Sequence, residues 1–321
     1  MRRVLLIDSG GGHTGHAFTV YQFLAGRIKA DFVVPENDPF TLEKLKGLGT
    51  LYPILKPLEP KTPLIKSIPG FIKAFIESHK IPFHEYTAVV CFGSNHCIAP
   101  FITARLHGVP GAVVEDVMRI VTPSRAVKLL SRISNYVFLS WPEQKRMYPQ
   151  GIYVGPLYEN RVYEPKNKGY ILVVTGTYGY PELVDAMLKT GLDNLVIQTG
   201  RDDPGKYRAR RPGLTIFDFD PDIARWIAGA EIVICHQGRT AVDAALTYGK
   251  PVIIVNNPRW IRAQTVLDTY LLARKIGARF YLWPDREKLL RDIKNVEQWF
   301  KPRSYPNGAK HVAEILSSIS F

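Results

Sequence analysis

Short apolar runs, each followed by a stretch long enough for a helix, recur along this chain of 321 residues. Continuous runs rich in β-branched residues are typical of parallel strands buried on both faces, and their alternation with helices indicates βα units. The predicted strands cover residues 4–7, 88–92, 112–114, 136–139, 170–174, 194–197, 231–235 and 251–255. The pattern therefore predicts an α/β fold built on parallel sheets.

The pattern of the N-terminus begins again after a polar segment in the middle of the chain, where residues 170–177 repeat a strand and a glycine turn. Two such halves predict two doubly wound, Rossmann-like domains that face each other across a cleft, with ligands beyond the carboxyl ends of the strands. The expected division is a first domain over 1–157, a linker over 158–168, a second domain over 169–304 and a C-terminal helix over 305–321. By analogy with such folds, the last helix is expected to cross back to the first domain.

Composition excludes several classes of protein. No apolar run approaches the ~18 residues that span a bilayer. The three cysteines, Cys91, Cys97 and Cys235, have neither disulfide nor zinc-site spacing, which favours a reducing, cytoplasmic setting. The net charge of +13 favours polyanionic partners. Since no recognisable nucleic-acid-binding module accompanies this charge, we expect phosphorylated ligands or an anionic membrane rather than nucleic acid.

The first predicted strand leads into a turn with three consecutive glycines, Gly10, Gly11 and Gly12, followed by His13 and Thr14. Glycines bring bare backbone N–H groups to a helix N-terminus, and that combination binds phosphate or diphosphate. The motif has neither the lysine of a Walker loop nor the spacing of a dinucleotide fingerprint. The alternative is a tight βα turn without a ligand.

A second glycine turn follows the strand predicted at 231–235. It reads His236-Gln237-Gly238-Arg239-Thr240 and opens a helix that ends at Gly249-Lys250-Pro251. The positive end of this helix is again expected to face an anion, with Arg239 and Thr240 as side-chain donors.

These two turns and their surroundings resemble two halves of a known enzyme family. The second half resembles the nucleotide-sugar half of lipid-linked N-acetylglucosaminyltransferases of glycosyltransferase family 28, which have the GT-B fold and commonly read His-Ala-Gly, a Ser/Thr, a Glu and Gly-Lys-Pro. The first half resembles the acceptor-binding, membrane-recruiting subunit of the eukaryotic enzyme that adds the second GlcNAc to dolichyl diphosphate. Its matching residues are 9–14, Glu115, Arg119, Thr122, Ser124, 134–136, 141–145, Tyr148, Pro149, Tyr153 and Gly155. The chain looks like both subunits fused, acceptor half first, and more distantly like the bacterial peptidoglycan GlcNAc transferase.

The resemblance implies the residues of both sites. The acceptor phosphates would be held by Gly10, Gly11, Gly12, Thr14 and Arg119. The donor would be bound by Gly176, Thr177, His236, Gln237, Gly238, Arg239, Thr240, Asp243 and Gln264, with His236 shaping the turn rather than transferring a proton.

The chain also departs from the family. The ribose-binding glutamate falls on Ala244, with Asp243 one residue early, and the hydroxyl position falls on Ala241, with Thr240 one residue early. A one-residue shift would restore both roles. In addition, an acidic residue common after His-Thr-x is replaced by His16, and the donor-contacting Asn-His-Gln is kept only at Gln264, because residues 262–264 read Arg-Ala-Gln.

Two residues are candidates for the catalytic base. An imidazole with an ordinary pKa of about 6.5 accepts protons at neutral pH, so His13 is expected to deprotonate or orient the acceptor. The alternative is a helix cap or a hydrogen bond to a carbonyl. Glu115 is the second candidate, and its alternative is an ion pair with Arg119, four residues on in a helix.

The segment Asp218-Phe219-Asp220-Pro221-Asp222 contains the Asp-x-Asp pattern of metal-dependent glycosyltransferases. The favoured interpretation is a helix start, with Asp220 as N-cap and Pro221 at the first helical position. We expect no cofactor and no obligatory protein-bound metal, since the UDP-sugar is a substrate.

Residues 40–80 combine large apolar side chains with seven lysines (Lys44, Lys46, Lys56, Lys61, Lys66, Lys73 and Lys80). An apolar face is expected over residues 71–76, and such a composition is typical of a segment at an anionic membrane surface. The alternative is a core-packed helix with a solvated lysine face. The first predicted strand starts without the N-terminal anchor of the eukaryotic relatives, so peripheral binding at the cytoplasmic face is expected.

The preferred function is an inverting, peripheral-membrane glycosyltransferase that moves a sugar, GlcNAc first among the candidates, from a UDP-sugar to a polyprenyl or dolichyl diphosphate-linked acceptor, as in lipid-linked oligosaccharide synthesis for protein N-glycosylation. A UDP-sugar 2-epimerase is an alternative, which would need several carboxylates in the cleft and no lipid surface. A non-catalytic scaffold that binds lipid phosphate or nucleotide sugar is the third.

Overall fold

The computed structural model describes residues 2–24, 26–58, 67–260 and 264–318. The chain divides into two units, Met1–Glu159 together with Pro306–Phe321, and Asn160–Tyr305. The C-terminal residues are therefore part of the first unit, and the boundary between the units follows Glu159.

The first unit contains a parallel sheet in the order β3-β2-β1-β4-β5-β6-β7. Its strands are β1 Arg3–Ile7, β2 Lys29–Pro35, β3 Leu51–Ile54, β4 Ala88–Cys91, β5 Gly111–Val114, β6 Tyr136–Leu139 and β7 Ile152–Tyr153. Its helices are α1 Gly12–Leu24, α2 Pro39–Leu45, α3 Ile68–Ser78, α4 Ile98–Leu106, α5 Arg125–Leu130 and the C-terminal Gly308–Ser318, with short 3₁₀ turns at Phe83–Glu85, Asn95–Cys97 and Pro142–Arg146. The C-terminal helix buries Ala309, Val312 and Leu316 in the same core cluster as Val20 and Leu24 of α1, which explains why it belongs to this unit.

The second unit contains a parallel sheet in the order β10-β9-β8-β11-β12-β13. Its strands are β8 Tyr170–Val174, β9 Leu195–Gln198, β10 Thr215–Phe217, β11 Ala230–His236, β12 Val252–Val255 and β13 Arg279–Tyr281. Its helices are α6 Pro181–Leu188, α7 Gly205–Arg208, α8 Ile223–Gly229, α9 Arg239–Val242, α10 Val266–Ile276, α11 Arg286–Lys294 and α12 Val296–Trp299, with a 3₁₀ turn at Pro258–Trp260. The C-terminal helix Gly308–Ser318, which belongs to the first unit, is α13 in chain order.

Both sheets reverse their strand order next to their first strand. β1 pairs with β2 on one side and β4 on the other, and β8 pairs likewise with β9 and β11. In open parallel sheets, ligands bind beyond the carboxyl ends of the strands at this reversal point. The predicted glycine turns follow β1 and β11, so each lies at the reversal point of its own sheet.

The predicted α/β class and all eight predicted strands are present. The predicted start of α8 is wrong, however, because that helix begins at Ile223 and Asp222 precedes it. Asp220 instead accepts hydrogen bonds from the backbone N–H of Asp222, from Trp226 Nε1 at 2.8 Å and from Arg225. The Asp220 carboxylate thus stabilises the loop before α8 through the N–H of Asp222, and it contacts the first turn of α8 through the side chains of Arg225 and Trp226. It is not the N-cap of that helix.

Candidate functional site

The glycine turn after β1 opens the N-terminus of α1. Gly10 and Gly11 have φ values of 88° and 57°, a region of conformation that favours glycine. A Cβ on Gly10 would lie 2.5 Å from Asp38 Oδ2. Gly11 and Gly12 are exposed at the start of α1, where backbone N–H groups lack intrahelical partners. This geometry is compatible with an anion bound at the turn.

A buried polar network lies beneath this turn and includes Thr14. The Thr14 hydroxyl donates to Asp8 Oδ1 at 3.0 Å and lies 2.8 Å from the hydroxyl of Thr41, which donates to Asp38. Burial raises the pKa of Asp8 to about 7. The buried Thr14 hydroxyl thus supports the turn from within, and the phosphate contact expected of Thr14 stays a prediction.

His13 has the geometry of an oriented base. Its Nδ1 lies 2.7 Å from the carbonyl oxygen of Phe92. Because a carbonyl only accepts, Nδ1 carries the proton and Nε2 of the neutral ring is left as an acceptor. Burial lowers the pKa of His13, while the charge of Asp116 opposes that effect. The two interpretations of His13 are thus compatible, since the bond to a carbonyl orients the ring.

Asp116 adds a charge that the sequence did not single out. Its Oδ1 lies 3.4 Å from His16 Nε2, and both side chains are buried. Burial would raise the pKa of Asp116, but the hydrogen bond to His16 and the charges of His16 and His13 hold it below its ordinary value. Lys56 and Arg119 are the cations near His13, and both lower its pKa.

Glu115 is placed differently from its prediction as a base. Its side chain is fully buried, and its oxygens accept hydrogen bonds from Asp116 N at 2.9 Å, Ser124 N at 3.1 Å and Tyr148 Oη at 2.5 Å. Burial raises its pKa to about 7, although these hydrogen bonds oppose the shift. Nor do residues 115–119 form the helix expected for an ion pair with Arg119. Glu115 therefore holds the loop between β5 and α5.

A buried glutamine holds the same loop from its other side. Gln144 Nε2 donates to the carbonyls of Asp116 at 3.0 Å and Arg119 at 2.6 Å, and Trp141 Nε1 donates to that of Val117 at 2.6 Å. Arg119 itself donates to Thr122 Oγ1 at 3.2 Å. These bonds fix the loop that carries Asp116 and Arg119 beside the glycine turn.

The donor turns of the second unit contact one another closely. Gly176 has a φ of 71°, and a Cβ there would lie 2.2 Å from His236 Nε2. Thr177 is half-buried and accepts the N–H of Arg201 at 2.9 Å. Burial lowers the pKa of His236 to about 4, so this ring is neutral at pH 7. Glycine at position 176 is therefore required by the close approach of the histidine ring.

Two predicted donor ligands have partners within the protein. Gln237 is buried, and its amide is bonded to Asn256 Oδ1 at 3.2 Å and to both the N–H and the carbonyl of Asn257. Arg239 is buried and ion-paired with Asp243, with Nε 3.0 Å from Oδ2. The Arg239 guanidinium is therefore oriented by Asp243, and its role as a side-chain donor to the nucleotide sugar stays a prediction. Thr240 is half-buried, and Gly238 has an extended backbone.

The helix that begins at Arg239 changes register after one turn. Asp243–Thr247 form a π-helical turn, in which Tyr248 N bonds to the carbonyl of Asp243. A π turn contains one residue more than an α turn. The register on its two sides therefore differs by one residue, which is the size of the shift that Asp243 would need to replace the residue expected at Ala244.

Three further residues contact one another beside these turns, and the sequence did not single them out because nothing local distinguishes them. The ring of Trp260 lies 5.1 Å from that of Tyr178 and 6.1 Å from that of His236, and the Arg201 guanidinium lies 4.7 Å above Tyr178. Gln264 is buried beside them, whereas Arg262 and Ala263 lie outside the described residues. No group of three or more His, Cys, Asp or Glu within the described ranges could hold a metal ion.

Helix α3 exposes apolar side chains on one face. Ile68, Ile72 and Ile76, at i, i+4 and i+8, are 59%, 56% and 62% exposed, whereas Phe75 packs against the core. The exposed face of α3 thus contains isoleucines as well as Lys73, which is 54% exposed, and the choice between a membrane surface and a solvated face stays a prediction. Among the lysines of this segment, Lys44 pairs with Glu159, Lys56 donates to Ser9 O and Lys73 pairs with Glu36 and Glu77, while Lys61 and Lys66 lie outside the described residues. In the described part of the chain, the helices are too short or too polar to cross a bilayer.

Comparison of the sequence with known proteins identifies a family and several relatives. The family model "Glycosyltransferase family 28 C-terminal domain" matches residues 170–316. The UDP-N-acetylglucosamine transferase subunit ALG14 of Homo sapiens is 33% identical over 176 residues, which cover 47% of this chain and 81% of that protein. The UDP-N-acetylglucosamine--N-acetylmuramyl-(pentapeptide) pyrophosphoryl-undecaprenol N-acetylglucosamine transferase of Lawsonia intracellularis is 25% identical over 304 residues, covering 86% of this chain and 82% of the relative.

Solved structures show the same fold. MurG of Acinetobacter baumannii has a TM-score of 0.68 at 18% identity and covers 99% of this chain and 100% of its own. A UDP-N-acetylglucosamine 2-epimerase from Rickettsia bellii has a TM-score of 0.62 at 12% identity, covering 99% and 94%. Two α/β units with a glycine turn at each reversal point have the GT-B architecture, and the family model and the sequence relatives identify the class of this protein as a glycosyltransferase. The chain belongs to glycosyltransferase family 28.

Proposed function

We propose that this enzyme transfers GlcNAc from UDP-GlcNAc, with inversion at the sugar carbon C1, to a sugar carried on a polyprenyl or dolichyl diphosphate. The similarity to ALG14 and to the pyrophosphoryl-undecaprenol N-acetylglucosamine transferase supports this donor and a lipid-linked acceptor. The observation that carries the proposal is the position of His13, whose Nδ1 is committed to the Phe92 carbonyl directly after an exposed glycine turn. A neutral acceptor nitrogen beside an anion-binding turn is what an acceptor hydroxyl on a diphosphate needs.

The acceptor would bind through its diphosphate at Gly10–Gly12. As the acceptor oxygen forms its bond to C1, its proton passes to Nε2 of His13. The bond from C1 to the β-phosphate oxygen breaks at the same time, and UDP leaves with the electron pair. The growing charge on UDP is stabilised by the backbone of the turns at Gly176 and Gly238, with no proton needed from His236.

Asp243 is proposed to serve the ribose of the donor in place of the glutamate of the family. The π-helical turn that starts at Asp243 absorbs one residue, which supports this one-residue replacement. In this enzyme the carboxylate is already paired with Arg239, so its orientation is fixed before the donor binds.

Membrane binding is proposed to occur through the isoleucine face of α3. Side chains of this kind enter the boundary between headgroups and acyl chains, and lysines near them favour anionic lipids. Lys46 and Lys80 are exposed in the same segment, and Leu106 of the neighbouring α4 is 74% exposed. Such a surface would bring the enzyme to a lipid acceptor at the cytoplasmic face.

The test is incubation with UDP-[³H]GlcNAc and a short-chain polyprenyl diphosphate sugar, with the configuration of the new linkage read by NMR. Labelled lipid with inverted configuration is expected, and the variant His13→Asn should lose about 10²–10⁴-fold in rate. Formation of UDP-ManNAc without an acceptor would instead identify an epimerase. Binding of UDP-GlcNAc without any product would identify a non-catalytic scaffold.

A further inference from the structure

We propose that Trp260 and Tyr178 form an aromatic shelf in the second unit that holds the pyranose ring of the nucleotide sugar. This inference rests on the proposed function in one respect, because it takes a nucleotide sugar as the ligand. It adds residues that neither the motifs of the family nor its spacing identified.

The shelf is built from turns at the carboxyl ends of neighbouring strands. Tyr178 follows β8, His236 ends β11 and Trp260 follows β12, and these three strands are adjacent in the sheet. Trp260 is inclined by 29° to His236 and by 58° to Tyr178. The Arg201 guanidinium covers Tyr178 at 4.7 Å, a cation–π contact that holds the tyrosine in place.

Buried amides without partners adjoin the shelf. Trp260 N donates to the carbonyl of Asn257 at 3.0 Å, and Gln264 N donates to that of Trp260 at 3.1 Å. The side chains of Asn257 and Gln264 are at least 99% buried. Within the described residues, Nδ2 of Asn257 and both polar side-chain atoms of Gln264 nevertheless have no hydrogen-bond partner. Buried polar groups are rarely left unpaired, so these atoms indicate a ligand that both donates and accepts hydrogen bonds.

A pyranose fits these features better than a planar base. One face of a hexose presents C–H groups that pack on an aromatic ring, while its hydroxyls donate and accept at the edge. The tilted rings of Trp260 and Tyr178 do not form a parallel slot for a base. The shelf also adjoins the turn at Gly176, where the diphosphate is expected, so a ligand on it would be the group joined to that diphosphate.

The experiment compares the affinities for UDP-GlcNAc and UDP by isothermal titration calorimetry. In Trp260→Ala, the affinity for UDP-GlcNAc should fall about tenfold while that for UDP stays within about twofold, because only the sugar has lost its stacking surface. Trp260→Phe should keep most of the affinity. The control Trp283→Ala removes an exposed tryptophan of the same unit and should change neither constant.

Equal losses for UDP and UDP-GlcNAc would overturn the proposal, because they would place the base or the diphosphate on the shelf, and so would no loss at all. Should Trp260→Ala fail to fold, tryptophan fluorescence of the wild type decides. UDP-GlcNAc must then change the emission more than UDP does, and Trp260→Phe must abolish the difference; an equal response to both ligands refutes the shelf. These binding constants do not depend on a lipid acceptor, so a failure to transfer sugar would leave this result standing and would refute only the proposed function.

Discussion

His16 Nε2 lies 3.4 Å from Asp116 Oδ1, and both side chains are buried beside the glycine turn. The family that the first half of the chain resembles commonly has an acidic residue at the position of His16. Here the carboxylate comes instead from the loop after β5, and its charge raises the pKa of His13 against the effect of burial. The acidic side chain beside the first glycine turn is thus supplied by a different element from the one that the resemblance implies.

Asp116→Asn should move the acid limb of the pH profile of kcat/KM to lower pH. His13 acts in its neutral form, so activity falls as pH drops through its pKa, and removal of the Asp116 charge lowers that pKa further. Lys56 and Arg119, the other charges near His13, remain in place. The control Asp185→Asn breaks an exposed ion pair in the second unit and should leave the profile unchanged. An unshifted acid limb in Asp116→Asn would mean that His13 is not the titrating base.

Glu115 should make the stability of the protein depend on pH. Its pKa is raised from 4.5 to about 7 in the folded state, mainly by burial. Between these values the folded protein holds a proton that the unfolded chain has released, so the free energy of unfolding falls as pH rises from about 4.5 to 7, by up to about 3 kcal/mol.

Urea unfolding of the wild type and Glu115→Gln at several pH values measures this effect. Asp8 titrates in the same window, so the substitution should remove about half of the slope rather than all of it. Glu115→Gln should also be less stable at every pH, since one amide cannot accept from all three donors. Identical slopes in the two proteins would show that Glu115 is ionised throughout.

The buried ion pair of Arg239 and Asp243 predicts that removing one charge destabilises the protein more than removing both. Asp243→Asn removes the carboxylate charge that faces a buried guanidinium and should lower the free energy of unfolding by about 3 kcal/mol. The double variant Arg239→Met/Asp243→Leu, which removes both charges, should be less destabilised. Chemical denaturation of the three proteins decides this, and a double variant worse than Asp243→Asn would contradict it.

Ile72→Glu should weaken binding to vesicles that contain anionic phospholipid. Loss of one isoleucine side chain that is buried in the lipid costs about 2 kcal/mol of binding free energy, which lowers the partition constant of the protein onto vesicles roughly 30-fold. The matched control is Val162→Glu, which places the same charge on an exposed apolar site of the second unit. Vesicle flotation gives the two constants, and equal binding by both variants would exclude α3 as the membrane surface.

Strands that are uniformly apolar could be predicted from the sequence, whereas a strand that contains a buried charged residue was not predicted. β2 carries Asp31, whose carboxylate accepts from Thr50 N at 2.7 Å and Tyr86 Oη at 2.9 Å. Those partners come from later elements, so a local pattern does not reveal that the charge is satisfied. β13 and β7 were missed because strands of three or two residues lack a pattern.

The sites divide in the same way. The glycine turns were visible in sequence because backbone geometry demands glycine at Gly10 and Gly176. The role of Glu115 was not, since it depends on Tyr148, 33 residues away. The contact of Trp260 with Tyr178 likewise joins turns after two strands that are not neighbours in the chain.

The most direct measurement is a matched pair of glycine variants, Gly11→Val and Gly176→Val, assayed for UDP affinity and for the KM of the lipid acceptor. Both positions have left-handed φ values, 57° and 71°, so valine strains the backbone of each turn, and at Gly176 it also meets the ring of His236. Gly11→Val should abolish use of the acceptor and leave the affinity for UDP unchanged. Gly176→Val should lower the affinity for UDP more than it changes the KM of the acceptor. If both variants lost UDP binding and acceptor use to the same extent, the separate roles assigned to the two turns would be contradicted.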